Sequence, residues 1–418
     1  MINSHFSNKM VSRRFFWFIW VLYTLVYMTK NCFSAAMASI VFEGVMTKSQ
    51  TGLIIAAFYL VYAPLQIFGG VFADKFDPEK LIGISLLGSA CANLIIFLNQ
   101  NYYVVLIVWT LNAVVQFALW PSVFKIISSQ LFSGDRKNSV YYISFSSTAG
   151  LLVAYLVAAV VPNWTYNFMI SAIVLFALAI ALFFATKLIG FYAEADEPIV
   201  LAKEQSESQS NISPLKLFLV SGFFILVVAS FIRMVVGNSI TTLASTMLME
   251  TYDNVSPSIG NLLNMLIIAT GLIGTILTKT LLYPRIIKSA STGVLIMLSV
   301  TLCCCILLNF IDHLSIISTI LIMCLLSIAV ASVTLFTSYC TLRFAKFGKS
   351  GVAAGVVNAF NSLGVVVNSY GVTILAEAFN WNVVLQVFTL LIATAILLCF
   401  IFVPCWKRFK KLYFTNKN

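Results

Sequence analysis

FYAEADEPIVLAKEQSESQSNIS, residues 191–213, is the stretch that organises the chain. It is polar, acidic and rich in Ser and Gln, and it reads as a flexible linker. On both sides the sequence is a series of long apolar runs joined by short loops. A bilayer core of about 30 Å needs about 20 apolar residues per helix. Six such runs precede the linker, near 14–41, 51–73, 80–99, 102–128, 139–161 and 165–187. Six follow it, near 216–249, 257–280, 290–310, 314–342, 352–378 and 381–403. The expected organisation is an N-terminal six-helix bundle over 1–190, a linker over 191–215 and a C-terminal six-helix bundle with a basic tail over 216–418. The fold class is all-α, with twelve transmembrane helices.

Composition agrees. Of 418 residues, 61% are hydrophobic and 9% are charged, against roughly 25% charged in an ordinary soluble domain. Mean hydropathy is +0.99. A soluble chain of this length needs far more polar surface, so a soluble enzyme and a nucleic-acid binder are both excluded despite the net charge of +11. The nine cysteines fall in apolar runs or just past the last one, so no disulfide is expected. Cys303–Cys305 form a CCC run without metal-ligand spacing.

Orientation follows from Lys and Arg. The face holding the N terminus collects 21 of the 25 basic residues, and the opposite face has Lys48 alone. The positive-inside rule then puts both termini in the cytoplasm, for a protein of the plasma membrane. The first run follows Arg13 and Arg14 without a cleavage-site pattern, so it reads as a helix that stays.

The halves look duplicated. Phe145-Ser146-Ser147 and Asn163-Trp164 in the first half match Phe360-Asn361-Ser362 and Asn380-Trp381 in the second, at offsets of 215 and 217. Two such halves, related by an axis along the membrane normal, place a substrate site between them.

Three cations remain inside the runs: Lys30, Lys125 and Arg233. No Asp or Glu accompanies them there. A charge at a helix centre costs about 2.5–3.5 kcal/mol on insertion scales and normally faces a cavity or partner. The missing partner could be an anionic ligand. Lys30 is 16 residues past Arg14, and Arg233 is 17 past Lys216. This equal depth in equivalent runs would set them facing each other. The competing reading is that either cation snorkels to an interface, and for Lys125, near the inner end of its run, snorkelling is favoured. Without an interior carboxylate, exchange of anions is easier to picture than proton coupling. Tyr23, Tyr27, Tyr59, Tyr62, Gln66, Ser146, Ser147, Asn358, Asn361 and Ser362 could line a pocket, although each could equally serve a helix–helix contact. Tyr23, Tyr27, Tyr62, Ser146 and Asn361 are the pocket residues selected with Lys30 and Arg233. The expected partners are a small anionic substrate and the lipid bilayer. No cofactor, metal ion or nucleic acid is expected, and the assembly is a monomer. No nucleophile–base pair marks an enzyme.

Several stretches resemble known families. GGVFADKFDPEK, residues 69–80, resembles the loop 2–3 signature of the major facilitator superfamily. Gly70, Asp74, Lys75 and Lys80 fit it, whereas Asp77 stands for a usual Gly and Glu79 for a usual base. This gives Asp74, Lys75, Lys80 and Lys125 structural or gating roles. More specifically, YTLVYMTKNCFSAAMA (23–38), QFALWPSVFK (116–125), FIRMVVGNSITTLA (231–244) and GVAAGVVNAFNSLG (351–364) resemble the organophosphate:phosphate antiporter family. That resemblance implies alternating access, with Lys30 and Arg233 as the basic substrate residues. It also implies exchange of a phosphate ester for phosphate; one branch of the family acts as a sugar-phosphate sensor. The family's histidine falls near Ser146, a lysine at Gln66, acids at Asn238 and near Ile268, and a second base at Asn31. In another alignment Lys30 is that second base and Thr29 replaces the arginine. A carboxylate or sulfate remains an alternative substrate.

Overall fold

A computed structural model of the chain describes residues 9–129, 131, 136–161, 163–192, 213–283, 285–347 and 349–414. A few side chains within these ranges, Asp74 among them, lie outside the description. The linker expected over 191–215 falls mostly outside it as well.

Local chemistry starts and stops the helices where the polar breaks occur. α1 (Lys9–Phe42) ends just before Glu43. Thr47 and Gln50 then form a capping box that opens α2 (Lys48–Lys75), which satisfies two orphan amides reciprocally. Asp77 accepts from the Glu79 amide and caps α3 (Pro78–Leu98), with Pro78 at its first position. Asp77 has φ −65°, so this turn has no need of the glycine usual in the signature. The remaining first-half helices are α4 (Tyr102–Gln116), α5 (Leu119–Ser129), α6 (Arg136–Val160) and α7 (Thr165–Tyr192).

In the second half one apolar run is divided into α8 (Pro214–Ser221), α9 (Phe223–Thr242) and α10 (Ala244–Thr251). α11 (Pro257–Leu277) passes into a π-helical turn, Thr278–Leu282. α12 (Ala290–Leu308) and α13 (Ile316–Leu342) follow. α14 (Ser350–Val366) and α15 (Thr373–Ala378) are joined by a second π-helical segment, Val367–Val372. α16 (Trp381–Phe414) is last.

All twelve apolar runs are therefore helical. Among the described residues, ten helical stretches are long and apolar enough to cross a membrane. The run at 139–161 supplies a shorter apolar helix, Phe145–Val160. The run at 51–73 supplies α2, whose centre carries Pro64 and Gln66. Large apolar side chains such as Ile84, Ile107, Ile180 and Leu390 point outward and are exposed, the pattern of helices bathed in lipid.

The chain forms two compact units. The first comprises Met1–Ala202 with Ser256–Leu262, the second Lys203–Val255 with Leu263–Asn418. In the first, α1 packs on α6, α3 on α7 and on α4, and α1 on α7. In the second, α9 packs on α14, α12 on α16 and on α13, and α9 on α16. The pairing order is the same in both. Glycine marks the equivalent close approach. A Cβ on Gly150 of α6 would lie 2.3 Å from the Thr24 carbonyl oxygen of α1, and one on Gly364 of α14 would lie 2.9 Å from Met234 Cβ of α9. Each unit also ties its first apolar run to its last by one hydrogen bond. The Trp164 indole donates to Glu43 at 3.0 Å, and the Trp381 indole donates to Glu250 at 2.8 Å.

Candidate functional site

Lys30 is on α1, where Thr29 and Asn31 turn back on their own helix. Thr29 Oγ1 donates to the Val26 carbonyl and Asn31 Nδ2 to that of Tyr27. Lys30 instead extends among rings. Its Nζ lies 3.6 Å from the centroid of Tyr62, 5.3 Å from Phe58, 5.5 Å from Tyr59 and 5.6 Å from Tyr27. Three of those rings come from one stretch of α2, with Phe58 and Tyr62 four residues apart and so on one face. Lys30 is 9% exposed. Ring faces attract a cation through their quadrupole, worth about 2 kcal/mol when desolvated. Rings offer the three ammonium N–H groups no oxygen, and none of the described residues supplies one. Among the described residues these rings are the partners of the Lys30 ammonium.

The other expected residues of this unit are spread more widely. Tyr23 packs its ring 5.1 Å from Tyr27 and 5.0 Å from Trp120, within the apolar core. It supports Tyr27, with no ring contact to Lys30. Gln66 donates to the Tyr62 hydroxyl at 3.1 Å. Ser146 is fully buried and donates to the Ile143 carbonyl of its own helix. Lys125 reaches the exposed carbonyls at the end of α2, donating to Ala73 O at 2.5 Å and to Phe76 O at 3.4 Å. This is a helix C-cap made from a neighbouring helix. Lys75 and Lys80 are exposed at the ends of α2 and α3. The Asp74 side chain is outside the description.

Arg233, on α9, is 5% exposed. Its Nη2 lies 3.5 Å from Asn361 Oδ1 and 3.3 Å from Met234 Sδ, and its Nε has no partner. Asn361 Oδ1 also accepts from Ser230 Oγ at 3.0 Å. Ser230 and Asn361 line a cavity of about 380 Å³ that lies wholly within the second unit, within the ordinary range for small-ligand sites. α13 gives its wall Thr334, Thr337, Ser338 and Thr341. Their spacing of three, four and seven puts four hydroxyls on one helix face. The guanidinium thus approaches a chamber whose walls offer hydroxyl and amide groups. Among the described residues no carboxylate lines it. Asn238 stands where the family resemblance calls for an acid, and its Nδ2 is buried without a partner.

The sequence reading selected Lys30, Tyr27 and Tyr62, which are together, and Arg233 and Asn361, which are together. It missed Phe58 and the α13 hydroxyl stripe.

The Major Facilitator Superfamily profile matches residues 19–369. A relative in Salmonella typhimurium, "Membrane sensor protein UhpC", is 23% identical over 167 residues, 39% of this chain and 38% of the relative. A "Probable hexose phosphate transport protein" of Chlamydia trachomatis is 23% identical over 123 residues, 29% of this chain and 27% of the relative. The chain therefore aligns with well under half the length of these curated relatives. Among solved structures, a bacterial homolog of the human lysosomal transporter Spinster superposes with a TM-score of 0.68 at 14% identity, covering 99% of each chain.

Proposed function

Because the chain belongs to the Major Facilitator Superfamily, we propose that it is a secondary transporter that moves a small organic anion across the bilayer. The anion is a phosphate ester, exchanged for phosphate by alternating access. One observation carries this reading. The Lys30 ammonium is buried among four rings, with no oxygen acceptor among the described residues. An anion would supply the oxygens its donors lack, and the relative named for hexose phosphate transport agrees with that chemistry.

Arg233 is the second cation of the proposal, with a free Nε and Nη2 beside Asn361. A guanidinium grips phosphate oxygens with parallel donors, whereas an ammonium acts as a point charge. The α13 hydroxyls suit the organic hydroxyls of a sugar. Binding favours whichever conformation the anion contacts better, and so drives the exchange. Both termini are proposed to be cytoplasmic, with the plasma membrane as the site of action.

The test is phosphate counterflow. Purified protein in liposomes loaded with phosphate is given labelled phosphate outside, alone or with sugar phosphates, carboxylates or sulfate. Exchange that requires internal phosphate and is competed by one phosphate ester supports the reading. Well-folded protein that exchanges a carboxylate or sulfate and ignores phosphate contradicts it. A second reading is favoured by the sensor relative: the same anion is bound without flux. Saturable binding in protein that catalyses no exchange would select it.

A further inference from the structure

A second cavity, of about 330 Å³, lies in the second unit at the end that carries the C terminus of α16. Three cations from three segments line it: Lys288 from the turn before α12, Arg343 from the end of α13 and Lys410 from α16. Among the described residues no carboxylate lines it. Its walls are aromatic, with Tyr283 and Tyr339 stacked at 5.0 Å and Trp406 beside them. Ser289 and Ala290, the cap and first residue of α12, complete it. Ser289 Oγ pairs with Ser291 Oγ at 3.0 Å and caps no backbone amide of that helix, so the N-terminal amides keep their attraction for an anion. This chamber meets the one beside Arg233 at Leu342, which lines both, and is otherwise lined by different residues. Tyr339 and Arg343 are four residues apart and face it, while Ser338 and Thr341 face the other.

The rim is apolar and open. Leu342 lines the cavity and is 61% exposed, and Ile286, two residues before Lys288, is 71% exposed. A site that joins three cations to an exposed apolar rim suits a headgroup still attached to its acyl chains.

We infer that Lys288, Arg343 and Lys410 form a binding site for a dianionic phosphate group, supplied by an anionic membrane lipid or by a soluble phosphate. The site is separate from the one proposed for transport, and nothing in it depends on Arg233.

Full-length protein in neutral detergent is titrated with dioctanoyl phosphatidic acid and, separately, with inorganic phosphate, following the thermal midpoint. The same titrations use Arg233→Ala, so that phosphate bound at the proposed transport site is removed from the signal. Phosphatidic acid stabilises wild type and Arg233→Ala alike. In the triple variant Lys288→Gln, Arg343→Gln, Lys410→Gln it binds roughly 100-fold more weakly, about fivefold per cation. The charge-matched control Lys407→Gln, Arg408→Gln, Lys411→Gln stays within threefold of wild type. Response to phosphatidic acid alone identifies the lipid as the source, and response to both identifies the phosphate group in either setting. If the triple variant does not fold, Lys288→Gln alone, in an exposed turn, still gives the fivefold loss. The inference is overturned if neither probe stabilises the protein, or if the pocket variants and the control variant respond equally.

Discussion

Lys30 Nζ stands 3.6 Å from the centroid of the Tyr62 ring, on the neighbouring helix. That separation is an electrostatic contact between a full charge and a ring face. It holds the ammonium inside the helix bundle without neutralising it. A carboxylate there would have quenched the charge and removed the attraction for a substrate anion. The aromatic box keeps the Lys30 amine buried, oriented and in want of an oxygen partner.

Tyr62 separates the ring face from the hydroxyl. Tyr62→Phe keeps the face and loses the hydrogen bond from Gln66, so anion uptake stays within about threefold of wild type. Tyr62→Leu removes the face, and with about 2 kcal/mol of cation–ring attraction lost, uptake falls roughly 30-fold. Equal rates for the Phe and Leu variants would mean that the ring face is not what holds Lys30.

Arg233→Lys keeps the charge and loses the fork. Charge-assisted hydrogen bonds are worth about 1.5–3 kcal/mol each, so substrate affinity drops about 10- to 100-fold, and Arg233→Ala lowers it further. Equilibrium binding of the counterflow substrate measures this. Wild-type affinity in Arg233→Ala would remove Arg233 from the site.

Lys125 has a structural task, capping α2 through Ala73 and Phe76. Lys125→Met leaves those carbonyls without a charged donor and destabilises the protein by about 1.5–3 kcal/mol, while substrate affinity changes less than twofold. A well-folded variant with a normal melting temperature and no binding would reverse the assignment.

Gly150→Ala puts a methyl group against the Thr24 carbonyl, where only 2.3 Å is available. Overpacking of this kind costs about 1–3 kcal/mol. Gly83→Ala, on α3, meets nothing within 4 Å and serves as the control. Thermal unfolding should separate the two variants clearly; indistinguishable midpoints would show that α1 and α6 can move apart freely.

Much of this was legible in the residues themselves. Apolar run length gave the helices, because in lipid the backbone must satisfy itself within each segment. Lys30 and Arg233 were visible because a charge inside an apolar run needs a reason. Phe58 was not, since an aromatic in a membrane helix carries no mark of which neighbour it faces. The hydroxyls at 334, 337, 338 and 341 were readable in principle, spaced as one face of a helix. They were passed over because a hydroxyl that bonds its own helix backbone, as Thr341 does to Thr337, looks the same in sequence as one that lines a chamber. Lys125 was read as a side chain reaching for an interface, and the structure shows it reaching for carbonyls. Sequence depth alone cannot tell these apart, because the end of α2 lies at that same interface.

The π-helical segment Val367–Val372 bears on how the two copies diverged. Gly150 and Trp164 stand 14 residues apart, and their counterparts Gly364 and Trp381 stand 17 apart. An α-helix that gains a residue rotates everything beyond it by about 100°, whereas a wider π turn takes up an extra residue locally. The segment lies inside the lengthened interval. The second copy can therefore hold one extra residue there while its glycine still meets α9 and its indole still meets a glutamate. The π turn takes up one of the three added residues, and the indole keeps its glutamate across all three.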